Sequence, residues 1–195
     1  LGSRLGELSA RQEHLGLDRQ CEDLLRAVVV GGTAEAVHMA RQAAGEVVVV
    51  LRLDASRPHL SERPAARALH PYGSCAALVF QAYASRAEVE SYRRAHPFAV
   101  FAGSLWSSEA ALEDELERIR TGGCCVQATS EALRVGVPYV GRRGQLEGIL
   151  GASRSLDGQR AGVGGGQGGG AGVLVEALQD CARRLALTSG YSVEA

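Results

Sequence analysis

The chain has 195 residues, enough for one domain with a sizeable buried core and no need of a disulfide or metal staple. Its 21 basic residues, all arginine, balance 22 acidic ones to a net charge of -1, which excludes the strong positive field of a stand-alone nucleic-acid binder. Five cysteines (Cys21, Cys75, Cys124, Cys125 and Cys181) form an odd set without CxxC spacing, and no signal peptide or long apolar run accompanies them, so a cytoplasmic protein without a membrane segment is expected. The histidines are scattered, none at i, i+4 spacing to another His or Cys, so no metal site is expected.

Leu5, Leu8, Leu15 and Leu17 punctuate an N-terminal helix that breaks near Gly16, and Leu24, Leu25, Val28 and Val29 give a second helical face ending at Gly31-Gly32. Val37 and Met39, then Val47 to Leu51, form a hairpin closed by Ala43-Ala44-Gly45-Glu46. Its second strand is continuously apolar, which predicts cover on both faces. Three prolines and several charges between Ser56 and Pro71 argue for a loop with at most a short strand at Ala66 to Leu69. Gly73 to Tyr83 is helical in pattern, and Ser85 with Glu88 makes a capping box for a helix over Arg86 to Ala95 that Pro97 stops.

Leu112, Leu116 and Ile119 line one face of a further helix, with Ser108 as N-cap, Glu109 in the first turn and Gly122-Gly123 as the stop. A short strand follows at Cys124 to Ala128, with Cys124 and Cys125 directed to opposite faces. Val135 to Val140 and Gln145 to Ala152 flank a turn at Gly141-Arg142-Arg143-Gly144, as a hairpin requires. Val163 to Gly172 is low-complexity glycine, read as a loop before a final helix over Val173 to Leu187. Hairpin-length connections in this order predict an α+β domain built on an antiparallel sheet.

The order of an LEDELERIRTGG helix, a strand, a Pro-containing strand, a turn Gly and a small-residue strand resembles the effector-binding, C-terminal domain of IclR-type bacterial transcription regulators. LGSRLGEL is similar to the junction past that family's DNA-binding wing, AEAVHMARQAAGEVVVVLRLDASRP to its first hairpin, and ALHPYGSCAALVFQAY to its strand, loop and first core helix. The resemblance covers nearly the whole chain. It implies a GAF-like or profilin-like antiparallel sheet of about six strands with helices packed on it. A linker helix over 1–16 would precede an effector-binding domain over 17–190. It further implies a sensor of a small organic or aromatic acid with no enzymatic activity and no cofactor, assembled as a homodimer or homotetramer. DNA would be reached only through a winged-helix domain absent from this chain.

By position in that pattern, Gly73 and Ser74 match the helix-start pair whose N–H groups meet the ligand, and Gly151 and Ser153 match the inner and outer small residues of the last strand. A helix N-terminus and a serine hydroxyl suit a small carboxylate. Gln127 stands where the pattern often has an acid, and Ser130 to Val137 is about three residues short of the pattern before Pro138. Arg134 falls in that piece. It is expected to supply a cation for an acidic effector, with Gln127 replacing a repulsive carboxylate.

Two other constellations are present. Cys75 near a helix start, with His70 as base, would make a small cysteine-dependent hydrolase or transferase, although no third orienting group or oxyanion-hole sequence accompanies the pair. Gly164-Gly165-Gly166-Gln167-Gly168-Gly169 formally fits GxGxxG but lacks the preceding apolar strand and the later acidic residue of a dinucleotide site, and reads as an insertion. His38 and His70 read as packed or solvent-facing residues.

Overall fold

The computed structural model describes residues 18–64, 67–103, 105–156 and 167–188. The expected linker helix over 1–16 and the first part of the glycine tract, 163–166, lie outside them. The elements run α1 (18–30), β1 (Ala36–Ala43), β2 (Glu46–Asp54), β3 (Ser61–Glu62), β4 (Arg67–Ala68), α2 (Cys75–Tyr83), α3 (Arg86–Ala95), α4 (Phe98–Phe101), α5 (Glu109–Gly122), β5 (Cys125–Ala128), β6 (Ala132–Val140), β7 (Leu146–Ser155) and α6 (Gln167–Thr188). Seven antiparallel strands occupy six positions in the order β3-β2-β1-β7-β6-β5, with β4 sharing the β2 edge with β3. The expected α+β fold with a sheet of about six strands is therefore present.

The two hairpins are joined edge to edge where β1 pairs with β7. The β1–β2 turn places Ala44 and Gly45 at φ 51° and 84°, the pair of positive values that matches a two-residue turn to the twist of its strands. A register shift between Met39 and Ala40 inserts Val50 as a bulge in β2. Without that extra residue, alternation would send Val47 and Val49 to the wrong face.

One face of the sheet is closed by α1 and α6. Leu25 and Val29 from α1 and Leu174, Leu178 and Leu185 from α6 pack on Met39, Leu51, Val137, Tyr139 and Leu150. The other face carries α2, held in turn by α5: Leu78 and Val79 join Leu112, Leu116 and Ile119 over Ala40, Val47 and Ile149. The expected α5 stripe is thus buried, with Ser108 accepting from the Ala111 N–H and Gly123 in the left-handed conformation. The Ser85–Glu88 capping box of α3 is formed in both directions.

Four expectations need correction. α6 begins at Gln167, six residues before Val173, so Gly168 to Gly172 are helical; apolar anchors at Leu174 and Leu178 in one core override the poor intrinsic propensity of glycine. The Ser56 to Pro71 segment holds two short strands instead of at most one, because the β2 edge offers both of them backbone partners. α2 starts at Cys75, since Ser74 is its N-cap. Finally, β6 begins at Ala132 and β7 extends to Ser155, so the second hairpin reaches past Val135 and Ala152 and pairs Arg134 with Ser153.

Candidate functional site

Strand alternation sends Ala36, His38 and Ala40 of β1, Arg134 and Gly136 of β6, and Gly151 and Ser153 of β7 to the α2 side. The register aligns these residues in two rows across the sheet. One runs Gln127, Arg134, Ser153, Ala36, Asp54, and the next Cys125, Gly136, Gly151, His38, Arg52. Two glycines stand at the centre of the second row because their neighbours take the space a side chain would need. A Cβ on Gly136 would come within 3.0 Å of the Cys75 Cβ, and one on Gly151 would overlap the His38 imidazole. The start of α2 therefore sits directly on the sheet.

Beside that contact lies a cavity of about 250 Å³. Its polar lining comes from His38, Arg52, Ser74, Arg134 and Ser153, and its apolar lining includes Val49, Leu69, Ala76 and Ala152. The α2 end of the cavity is fixed by neighbouring elements. Gln81 donates to the Pro71 carbonyl at 2.9 Å, the Trp106 indole donates to the Tyr72 carbonyl at 2.8 Å, and the Tyr72 hydroxyl donates to the His96 carbonyl at 2.6 Å.

The donors around the cavity differ in how far they are committed. Gly73 and Ser74 N–H both point to the His70 carbonyl, at 3.4 and 3.2 Å. The Ser74 hydroxyl donates to the same carbonyl at 3.0 Å and accepts from the Ala77 N–H at 3.2 Å. The next two N–H groups of the first turn, Cys75 and Ala76, have no hydrogen-bond partner among the described residues, as the opening of a helix requires. The Ser153 hydroxyl has none there either, and the exposed Arg134 guanidinium forms no ion pair among the described residues. Arg52 is paired: its Nη2 lies 3.3 Å from Asp54 Oδ2. The Asp54 carboxylate also accepts from the Ser56 N–H at 3.0 Å and hydroxyl at 2.7 Å, and these bonds, with Arg52, hold it below the usual carboxylate range.

Gly73, Ser74, Arg134 and Ser153 are thus brought to one cavity. Gly151 is not part of its lining; it makes room for His38. Gln127 is not part of the lining either. It faces Arg134 across the β5–β6 pair, one strand further from the cavity. Sequence reading missed His38, Arg52 and the N–H groups of Cys75 and Ala76. The available signal was a polar residue at a sheet position flanked by small ones, as in Ala36-Val37-His38-Met39-Ala40. Such an environment leaves space beside the polar group.

Cys75 is buried and its thiol donates to the Arg134 carbonyl at 3.6 Å. The neighbouring Cys75 thiol, together with burial, pushes the Cys125 thiol far up. Cys124 packs with the α1/α6 core and Cys125 with the α2 core, on opposite faces as alternation requires. The exposed His70 uses Nδ1 to accept the Tyr72 N–H at 3.3 Å. Among the described residues no group of three or more His, Cys, Asp or Glu is placed to hold a metal ion.

No family model matches the sequence, and no curated protein matches it. Solved structures do. An IclR transcriptional regulator from Alicyclobacillus acidocaldarius superposes with TM-score 0.69 at 19% identity, over 96% of this chain and 74% of that one. The C-terminal domain of the E. coli transcriptional regulator KdgR gives 0.64 at 18% identity, over 90% of this chain and 99% of that domain. Thermotoga maritima IclR gives 0.62 at 19% identity, over 94% and 74% of the two chains. Where the comparison is with a separate C-terminal domain, the two chains overlap almost end to end, and the chain described here has the fold of the C-terminal domain of IclR-type transcriptional regulators.

Proposed function

We propose that this chain is the ligand-sensing and oligomerising domain of an IclR-type regulator and that it performs no chemistry. A small carboxylate would occupy the cavity at the start of α2, with DNA contacted by a separate winged-helix domain and the assembly a dimer or tetramer working in the cytoplasm. The observation that carries this reading is the set of uncommitted donors converging on one cavity: two N–H groups of a helix's first turn, the Ser153 hydroxyl and the Arg134 guanidinium. A helix N-terminus favours negative charge, and a guanidinium matches a carboxylate with two parallel hydrogen bonds. The near-neutral charge of the chain supports leaving DNA contact to another domain. Binding would favour one arrangement of subunits over another, and only a difference in affinity between the two can drive the shift.

The expected affinity is modest. For about six heavy atoms at a ceiling of roughly 1.5 kcal/mol each, binding cannot exceed about 9 kcal/mol, a Kd of about 0.3 μM at the tightest. The test is a thermal-shift panel at millimolar small carboxylates, aromatic acids, sugars and nucleotides. A hundredfold excess over Kd stabilises by about 2.7 kcal/mol, a visible shift. Selective stabilisation by one class of acid is expected, whereas stabilisation by sugars or nucleotides alone overturns the reading.

A further inference from the structure

The two arginines of the cavity differ in electrostatic environment. Arg134 has no ion-pair partner among the described residues, and the bare N–H groups of Cys75 and Ala76 stand at the neighbouring end of α2. That end presents uncompensated positive potential. Arg52 comes from the opposite side, because β6 and β2 are separated by β7 and β1, about 14 Å at the usual spacing between strands. Its charge is already matched by Asp54, whose carboxylate is pinned by the backbone and side chain of Ser56. Glu62 stands opposite Arg52 across the β2–β3 pair. A second carboxylate arriving there would have to displace Asp54 or lie beside it, and like charges at such range repel.

An uncharged oxygen meets no such obstacle. A hydroxyl accepts from Arg52 and donates to an acidic neighbour, and a carbonyl accepts from Arg52 alone. Resting on the carboxylate reading above, we propose that Arg52, positioned by Asp54, is the specificity-determining residue of the cavity. It selects a monocarboxylate that carries a hydroxyl or carbonyl at the far end, and it rejects dicarboxylates of the same length.

The test is calorimetric titration of the intact chain with matched straight-chain acids of four to six carbons in three forms: the plain monocarboxylate, the ω-hydroxy acid and the dicarboxylate. A hydrogen bond to a charged group is worth roughly tenfold to a hundredfold in affinity, so the ω-hydroxy acid of the best-fitting length should exceed both others by about that factor. Arg52→Gln should remove the advantage, bringing the ω-hydroxy acid down to the affinity of the plain acid. Asp54→Asn should raise affinity for the dicarboxylate, a gain that mere loss of structure does not produce. Arg134→Gln should weaken all three acids together. If the dicarboxylate binds best to the unmodified chain, or Arg52→Gln weakens plain and hydroxy acids equally, the assignment of Arg52 is overturned while the carboxylate reading stands. If none of the three forms binds at any length, the assignment of Arg52 falls, and the carboxylate reading falls with it only if no acid in the thermal-shift panel stabilises the chain.

Discussion

The two faces of the sheet are built from the same strands to different ends. Toward α1 and α6 the strands present Met39, Leu51, Val137, Tyr139 and Leu150, all essentially sealed from solvent. Toward α2 the corresponding positions of the central strands include Ala36, His38, Ala40, Gly136, Gly151 and Ser153. Large side chains fill the first interface. Small ones let α2 approach closely at one point and leave a cavity beside it at another. The α1/α6 side is therefore packed throughout, whereas the α2 side combines a core of its own with an open cavity, and substitutions at the sealed positions and at the cavity should separate in their effects.

The largest loss of stability is expected on the sealed side. Leu150→Ala should cost about 2–5 kcal/mol, read as a lower urea midpoint at unchanged slope, with affinity for a small carboxylate unaltered in the molecules that remain folded. Gly136→Ala comes next. Its methyl group meets the Cβ and backbone of Cys75 at 3.0–3.3 Å, so it pushes at the start of α2 and should cost about 1–3 kcal/mol while also weakening the ligand. A Gly136→Ala variant with normal affinity would break the claim that the helix's seat on the sheet shapes the cavity.

Alkaline pH probes the sealed side from another direction. Burial pushes the Cys21 thiol up from 9.0 to about 12, so the folded state disfavours its thiolate. The associated stability is fully present below the ordinary thiol value and is lost as pH rises from there toward about 12. Stability measured against pH should fall less steeply above 9.0 in Cys21→Ala than in the parent chain. Buried thiols on both faces, Cys75 and Cys125 among them, should resist alkylation at neutral pH until the chain unfolds. Rapid alkylation of Cys75 in the folded chain would revive the cysteine-dependent reaction with His70. The smallest effect on stability is expected at Arg134→Ala, within about 0.5 kcal/mol for an exposed side chain, yet affinity for carboxylates should drop about tenfold for the lost charged hydrogen bonds.

Local signals made much of the helix and turn architecture legible. Ser108 and Gly123 bound α5 as their chemistry dictates, and Ser85 with Glu88 closes the capping box. Ala44-Gly45 makes the β1–β2 turn. Signals that depend on tertiary contact were harder to read. The start of α6 within a glycine run is set by what Leu174 and Leu178 pack against, and the Val50 bulge by which face Val47 must reach. The cavity was legible in part for the same reason. Gly73, Ser74, Arg134 and Ser153 could be placed from the family resemblance, but Arg52 and His38 join them only through the pairing of β1 with β7, which no local pattern encodes. Gln127, adjacent to Arg134 in register, sits one strand away from where the resemblance suggested.

Both margins of the sheet are blunt. On one side β3 and β4 contribute two residues each, broken between them by Pro64, and on the other β5 is four residues long. Edges this short offer an incoming chain too few backbone groups for a continuous ladder. Among the described residues, then, neither margin gives copies of this molecule a long edge for extending one another's sheet. An assembly of copies through the described residues would instead be keyed by side chains on helices and loops, which would make the pairing of subunits a matter of sequence at those surfaces and open to adjustment without disturbing the hydrogen-bonded frame.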